Sequence, residues 1–75
     1  MKYRVVFEYQ SEDSAMSDVY NCRDEQQAQE KFAELRDSLM HAADPATSEV
    51  TDEPTLYSVV NREQPLVAYV RLLAE

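Results

Sequence analysis

Residues 64–75 read "QPLVAYVRLLAE", and the way they are read decides what the rest of the chain can build. As a strand they set Leu66, Ala68, Val70 and Leu72 on one face and Val67, Tyr69, Arg71 and Leu73 on the other. A rival reading starts a short helix at Pro65, with Leu66, Val70 and Leu73 along one side. Val67, Tyr69 and Val70 are strand-rich types, and the strand-like run "TLYSVVN" at 55–61 lies just before them, so the strand is preferred. Both of its faces are largely apolar. A sheet roofed on one side alone would leave the second face in water.

Working outward, residues 2–10 alternate. Tyr3, Val5, Phe7 and Tyr9 share one face, and Lys2, Arg4, Glu8 and Gln10 share the other with Val6 as the exception. The polar break "SEDS" at 11–14 predicts a turn, and "AMSDVYNC" at 15–22 a weakly patterned second strand. The firmest element is a helix. Asp24 stands where a cap belongs, with Gln27 three positions on to complete a capping box. Ala28, Phe32, Leu35, Leu39 and Ala42 then draw a single apolar stripe, and the Asp44–Pro45 pair stops it. Residues 44–54, "DPATSEVTDEP", read as a polar connection, "TLYSVVN" as the third strand, "REQP" as a turn and "LVAYVRLL" as the fourth. The expected architecture is α+β: one domain over residues 1–75, in the order β-β-α-β-β, with a four-stranded antiparallel sheet and one helix on one face.

Composition narrows the chemistry. A chain of 75 residues has room for one sheet and one helix, and none for a cleft between domains. A formal charge of −8 disfavours direct contact with nucleic-acid phosphates and favours cationic partners. Cys22 is the single cysteine, which forbids an intramolecular disulfide and suits a reducing cytoplasm. Neither a signal sequence nor a membrane span is expected, since the N-terminal segment's longest apolar run is Val5-Val6-Phe7. The chain contains no glycine, which removes the phosphate-cradling loops that depend on it. No cofactor is called for.

Catalytic groupings are weak. His41 is the sole histidine, four residues after Asp37, and reads as a surface residue near the helix end. Cys22 and His41 fall at opposite ends of the helix, far beyond the reach of a nucleophile and its base. The stretch "DPATSEVTDE" lacks the ligand spacing and central glycine of a calcium loop, so no metal site is assigned. A non-enzymatic role is expected.

Two surfaces remain as candidates. The topology brings the 11–14 turn and the 44–54 connection to one end, where Glu12, Asp13, Asp44, Glu49, Asp52 and Glu53 would form a negative pole. The reverse sheet face would carry Val6, Val67, Tyr69 and Leu73, joined by either Tyr57 and Val59 or Leu56 and Val60; Tyr57 is counted with this face. The pole predicts binding to a basic protein surface, such as that of a nucleic-acid-binding complex, and hence inhibition by occupying it. The face predicts the alternative, a homodimeric accessory or assembly module.

In shortness, in the acidic runs "SEDSAMSD" at 11–18 and "TSEVTDE" at 47–53, and in its lack of catalytic residues, the chain resembles small phage-encoded proteins that blunt host defences, anti-CRISPR proteins among them. The resemblance spans the chain as general character and transfers no functional residue. It implies an inhibitor that acts by protein binding in the cytoplasm of the infected cell.

Overall fold

A computed structural model describes residues 2–44, 46–63 and 65–74. Its elements run β1 (Tyr3–Ser11), β2 (Ala15–Cys22), α1 (Glu25–Ala42), β3 (Ser48–Glu53), β4 (Leu56–Asn61) and β5 (Leu66–Ala74). All six lie in one layer pair, a single antiparallel sheet in the order β2-β1-β5-β4-β3 with α1 on one face. The four-stranded expectation is therefore corrected to five strands, in the order β-β-α-β-β-β. The extra strand is β3, which lies within the stretch read as a polar connection. Its burial explains the error: five of its six residues are exposed, so it needed no apolar alternation to form. What builds it is pairing with β4, from Ser48 opposite Asn61 to Glu53 opposite Leu56.

The helix does the expected capping work. Asp24 Oδ1 accepts from the Gln27 N–H at 2.8 Å, and Gln27 Oε1 reaches back to the Arg23 N–H at 2.8 Å, one residue earlier than in the usual box. Its buried stripe is Ala28, Phe32 and Leu39, followed by Ala43 in extended backbone; Ala42, placed on the stripe by spacing, is exposed. The stop expected at Pro45 falls outside the described residues. Because β2 and β3 are opposite edges, α1 must carry the chain across four strand spacings, about 19 Å. Its 18 residues give about 27 Å, enough to cross the sheet obliquely.

Register assigns every face. Val5, Phe7, Leu66, Ala68, Val70, Tyr57 and Val59 lie beneath the helix with Phe32 and Leu39, and form the core. Tyr57 is thus 5% exposed on the covered side, and Leu56 and Val60 take the place given to it on the open face. Asn61 shares the parity of Tyr57 and Val59 and is buried with them. It donates to Thr47 Oγ1 at 2.8 Å and Ser48 Oγ at 3.0 Å, and its Oδ1 accepts from the Glu63 N–H at 3.0 Å. One amide thereby ties the arrival of the helix connection at β3 to the β4–β5 turn.

The described residues contain no positive-φ position. The hairpin between β3 and β4 turns at Pro54–Thr55, where proline supplies the negative φ of a first turn position. Leu72 N–H, on β5, donates to the Thr55 carbonyl at 2.8 Å and holds this turn against the sheet. Replacing Asn61 by alanine removes the buried amide's bonds to Thr47, Ser48 and the Glu63 N–H and is expected to cost about 1–3 kcal/mol in urea unfolding, whereas Asn21→Ala on the exposed edge should stay within about 0.5 kcal/mol.

Candidate interaction surfaces

The row Ser11–Leu66–Asn61–Ser48 marks one end of the sheet. Glu12 and Asp13 project beyond it from the β1–β2 turn, and a depression of about 420 Å³ there is lined by both, together with Glu63, Tyr9 and Leu66. Asp44 joins this end, held by its own loop: its Oδ1 accepts from the Ala46 N–H at 2.9 Å and its carbonyl from Ser48 Oγ at 2.6 Å. Glu63 was missed by sequence reasoning because its turn is only four residues long and reads as neutral. Glu49 lies one residue into β3. Asp52 and Glu53 do not belong to the pole. With β3 a strand, Asp52 stands opposite Tyr57 in the middle row, about 13 Å from the end, and Glu53 lies beyond it.

The acidic surface is therefore an end and an edge joined at Ser48. Among the described residues, Glu12, Asp13, Asp52, Glu53 and Glu63 have no lysine or arginine within salt-bridge reach. Glu49 meets Arg62 at 3.8 Å, with both side chains largely in water, a contact of small energetic weight. Three of the seven cations gather elsewhere. Lys2, Arg4 and Arg23 line a depression of about 510 Å³ at the opposite end of the sheet, with Asn21 and Cys22.

The open face reads in rows. Val67 and Val60 stand side by side near the acidic end; Ser17, Glu8, Tyr69, Ser58 and Thr51 cross the middle; Val19, Val6, Arg71, Leu56 and Glu53 follow; and Arg4 and Leu73 sit below. Val67 is 53% and Leu73 41% exposed, while Val6 and Tyr69 are half-buried. The apolar surplus of β5 is thus split into two islands by a polar belt. In that belt Tyr69 holds its proton more tightly than an ordinary phenol, through burial first and then the neighbouring Glu8, which also accepts its hydroxyl hydrogen; Arg71, 6.0 Å from its ring centre, opposes the shift. On the other face Tyr57 is shifted the same way by burial and by Asp52.

His41 Nδ1 lies 2.6 Å from the Asp37 carbonyl of its own helix, so the bond is to backbone and not to the Asp37 carboxylate. Cys22 is buried at the other end of α1, its thiol 3.8 Å from the Tyr20 carbonyl. Among the described residues no group of three histidine, cysteine or acidic side chains could hold a metal ion, and no helix is long and apolar enough to cross a membrane.

Both tyrosine shifts carry a sign for stability. Each phenol is raised above 10.0 in the folded state, so the stabilisation is complete below that pH and is lost as pH climbs toward the folded values. Phenolate absorbance should show a late-titrating component, and Glu8→Gln should move part of it to lower pH; a single transition at ordinary pH, unchanged by the substitution, would contradict the belt. No known protein family, curated protein or solved structure matches the chain.

Proposed function

We propose that this protein is a non-enzymatic interaction module that inhibits a basic, nucleic-acid-binding protein by occupying its positive surface. The observation that carries the reading is the uneven placing of charge: carboxylates at one end and on β3, of which, among the described residues, Glu49 alone meets a cation within salt-bridge reach, with Lys2, Arg4 and Arg23 collected at the far end. A net charge of −8 spread evenly would serve solubility alone. Seven of the fifteen carboxylates lie on this end and this edge, and together they present a field that a cationic groove can meet over several contacts. The contacts are Glu12, Asp13, Asp44 and Glu63 at the end and Glu49, Asp52 and Glu53 along β3, with Asp52 on the helix side and the other two on the open face. The same reading places the protein in the cytoplasm of the cell that makes it or is infected, where such partners work, and keeps the resemblance to anti-CRISPR proteins at the level of general character.

A second reading covers the open face with another copy of the chain. The exposure of Val67 and Leu73 favours it, and the Glu8–Tyr69–Ser58 belt between the islands counts against it. Val67→Arg separates the two, since it lies outside both acidic groups.

The test is a titration of nucleic-acid-binding proteins from the host against this chain and against a Glu12→Lys, Asp13→Lys, Asp52→Lys, Glu53→Lys variant. Binding to the cognate protein should displace its nucleic acid, should weaken at least about tenfold between about 0.1 and 0.5 M salt as exposed charges are screened, and should vanish in the variant while its circular dichroism is unchanged. Binding that survives both the salt and the four reversals would overturn the reading.

A further inference from the structure

The two edges of the sheet are unlike. On β3, six residues long, Glu49, Asp52 and Glu53 guard the edge, and Pro54 follows it. On β2, eight residues long, Asp18 is the one charged residue, while Met16 and Val19 are 55% and 53% exposed. Natural sheets blunt an edge with charge, proline or brevity, and β2 has little of the three. Its backbone is open in a defined way. Ser11 N–H donates to the Ser14 carbonyl at 2.8 Å, so that pair is hydrogen-bonded. Alternation along the β1–β2 register then turns Met16, Asp18, Tyr20 and Cys22 inward to β1. Ser17, Val19 and Asn21 turn their N–H and C=O groups outward.

We propose that β2 pairs antiparallel with β2 of a second copy, about a twofold axis through Val19, to make one continuous ten-stranded sheet. The choice of occupant rests on charge and side-chain matching. Paired residues share a face, so the register fixes each partner. With Val19 opposite Val19, the exposed valines of the open face meet. Ser17 then stands opposite Asn21, a hydroxyl against an amide. On the helix side Asp18 stands opposite Tyr20, and Met16 opposite Cys22. Every pair is compatible. The registers shifted toward the turn are not. Centring on Asp18 sets two carboxylates face to face, and centring on Ser17 sets Asp18 against the Met16 thioether. Two chains of charge −8 repel, and this is the edge on which self-pairing meets the least of that charge. A twofold perpendicular to the sheet keeps both helices on one side and leaves β3 of each copy at the outer margins, and it brings the β1–β2 turn of each copy, with Glu12 and Asp13, to the end of the other copy's β2 that carries Arg23. The inference is independent of the proposed function.

The test uses the full chain and a Val19→Pro variant. Val19 N–H points away from β1, so proline there removes a bond of the new ladder and none within the protomer. Sedimentation should show the wild type rising with concentration toward twice the mass of one chain, and the variant remaining a monomer with unchanged circular dichroism. Amide exchange on the wild type supplies a readout that does not depend on the variant folding: Ser17, Val19 and Asn21 should slow at high concentration, and other exposed amides should not. A wild type that stays monomeric at millimolar concentration, or a dimer in which those three amides exchange as fast as in the monomer, overturns the proposal.

Discussion

The last strand is the middle one. β5 sits between β1 and β4, paired with β1 from Leu66 to Ala74 and with β4 from Leu66 to Arg71, and without it the sheet is two unconnected hairpins. Each hairpin alone is marginal in water. The insertion also dictates the helix. Since the meander β3-β4-β5 must start at the far edge to end at the centre, α1 has to span the sheet. Its apolar stripe therefore covers β5 and β1 instead of one hairpin. Val5, Val70, Ala68, Val59 and Leu39 are almost wholly buried where these elements meet. The edges on the helix side are left bare, at Met16 on β2 and Val50 on β3.

What the sequence made legible follows from how strongly each residue is tied to one environment. Alternation over β1 and the Asp24–Gln27 cap each have a local cause, and both are read directly from composition and spacing. β3 was not legible because an edge strand facing water on both sides has no apolar pattern to display; Val50 and Thr51 are its only strand-rich residues. The faces of β4 were ambiguous because Leu56 and Val60 are as apolar as Tyr57 and Val59. Asn61 decides between them, and only in the fold does it show its partners, Thr47 and Ser48, which lie 14 and 13 residues away in the chain. Missing β3 had a consequence for the surface. A loop could have gathered Asp52 and Glu53 with Glu12 and Asp13, and a strand cannot.

The molecule's described depressions are open to solvent, its thiol is buried, and its histidine is bound to its own helix. The surface is nonetheless uneven: Glu12, Asp13, Asp44 and Glu63 gather at one end and Glu49, Asp52 and Glu53 on one edge, Lys2, Arg4 and Arg23 at the other end, β2 carries little charge, and the open face has its apolar surplus broken by Glu8, Tyr69 and Ser58. The surplus of β5 that the sequence raised as a problem is thus met in part by interruption, with Arg71 and Tyr69 set among the aliphatic groups.

The claim on which all this rests is that the chain's final segment is its structural centre. Native-state hydrogen exchange, resolved residue by residue on the dilute protein, addresses it directly. The amides of Val67 through Leu72 should be among the slowest to exchange and should open together with those of Val5 and Phe7, in spite of lying next to a chain end, where fraying is the rule. Exchange of 67–72 ahead of the β1–β2 hairpin would show a tail that is laid on after the fold forms, and would contradict the account.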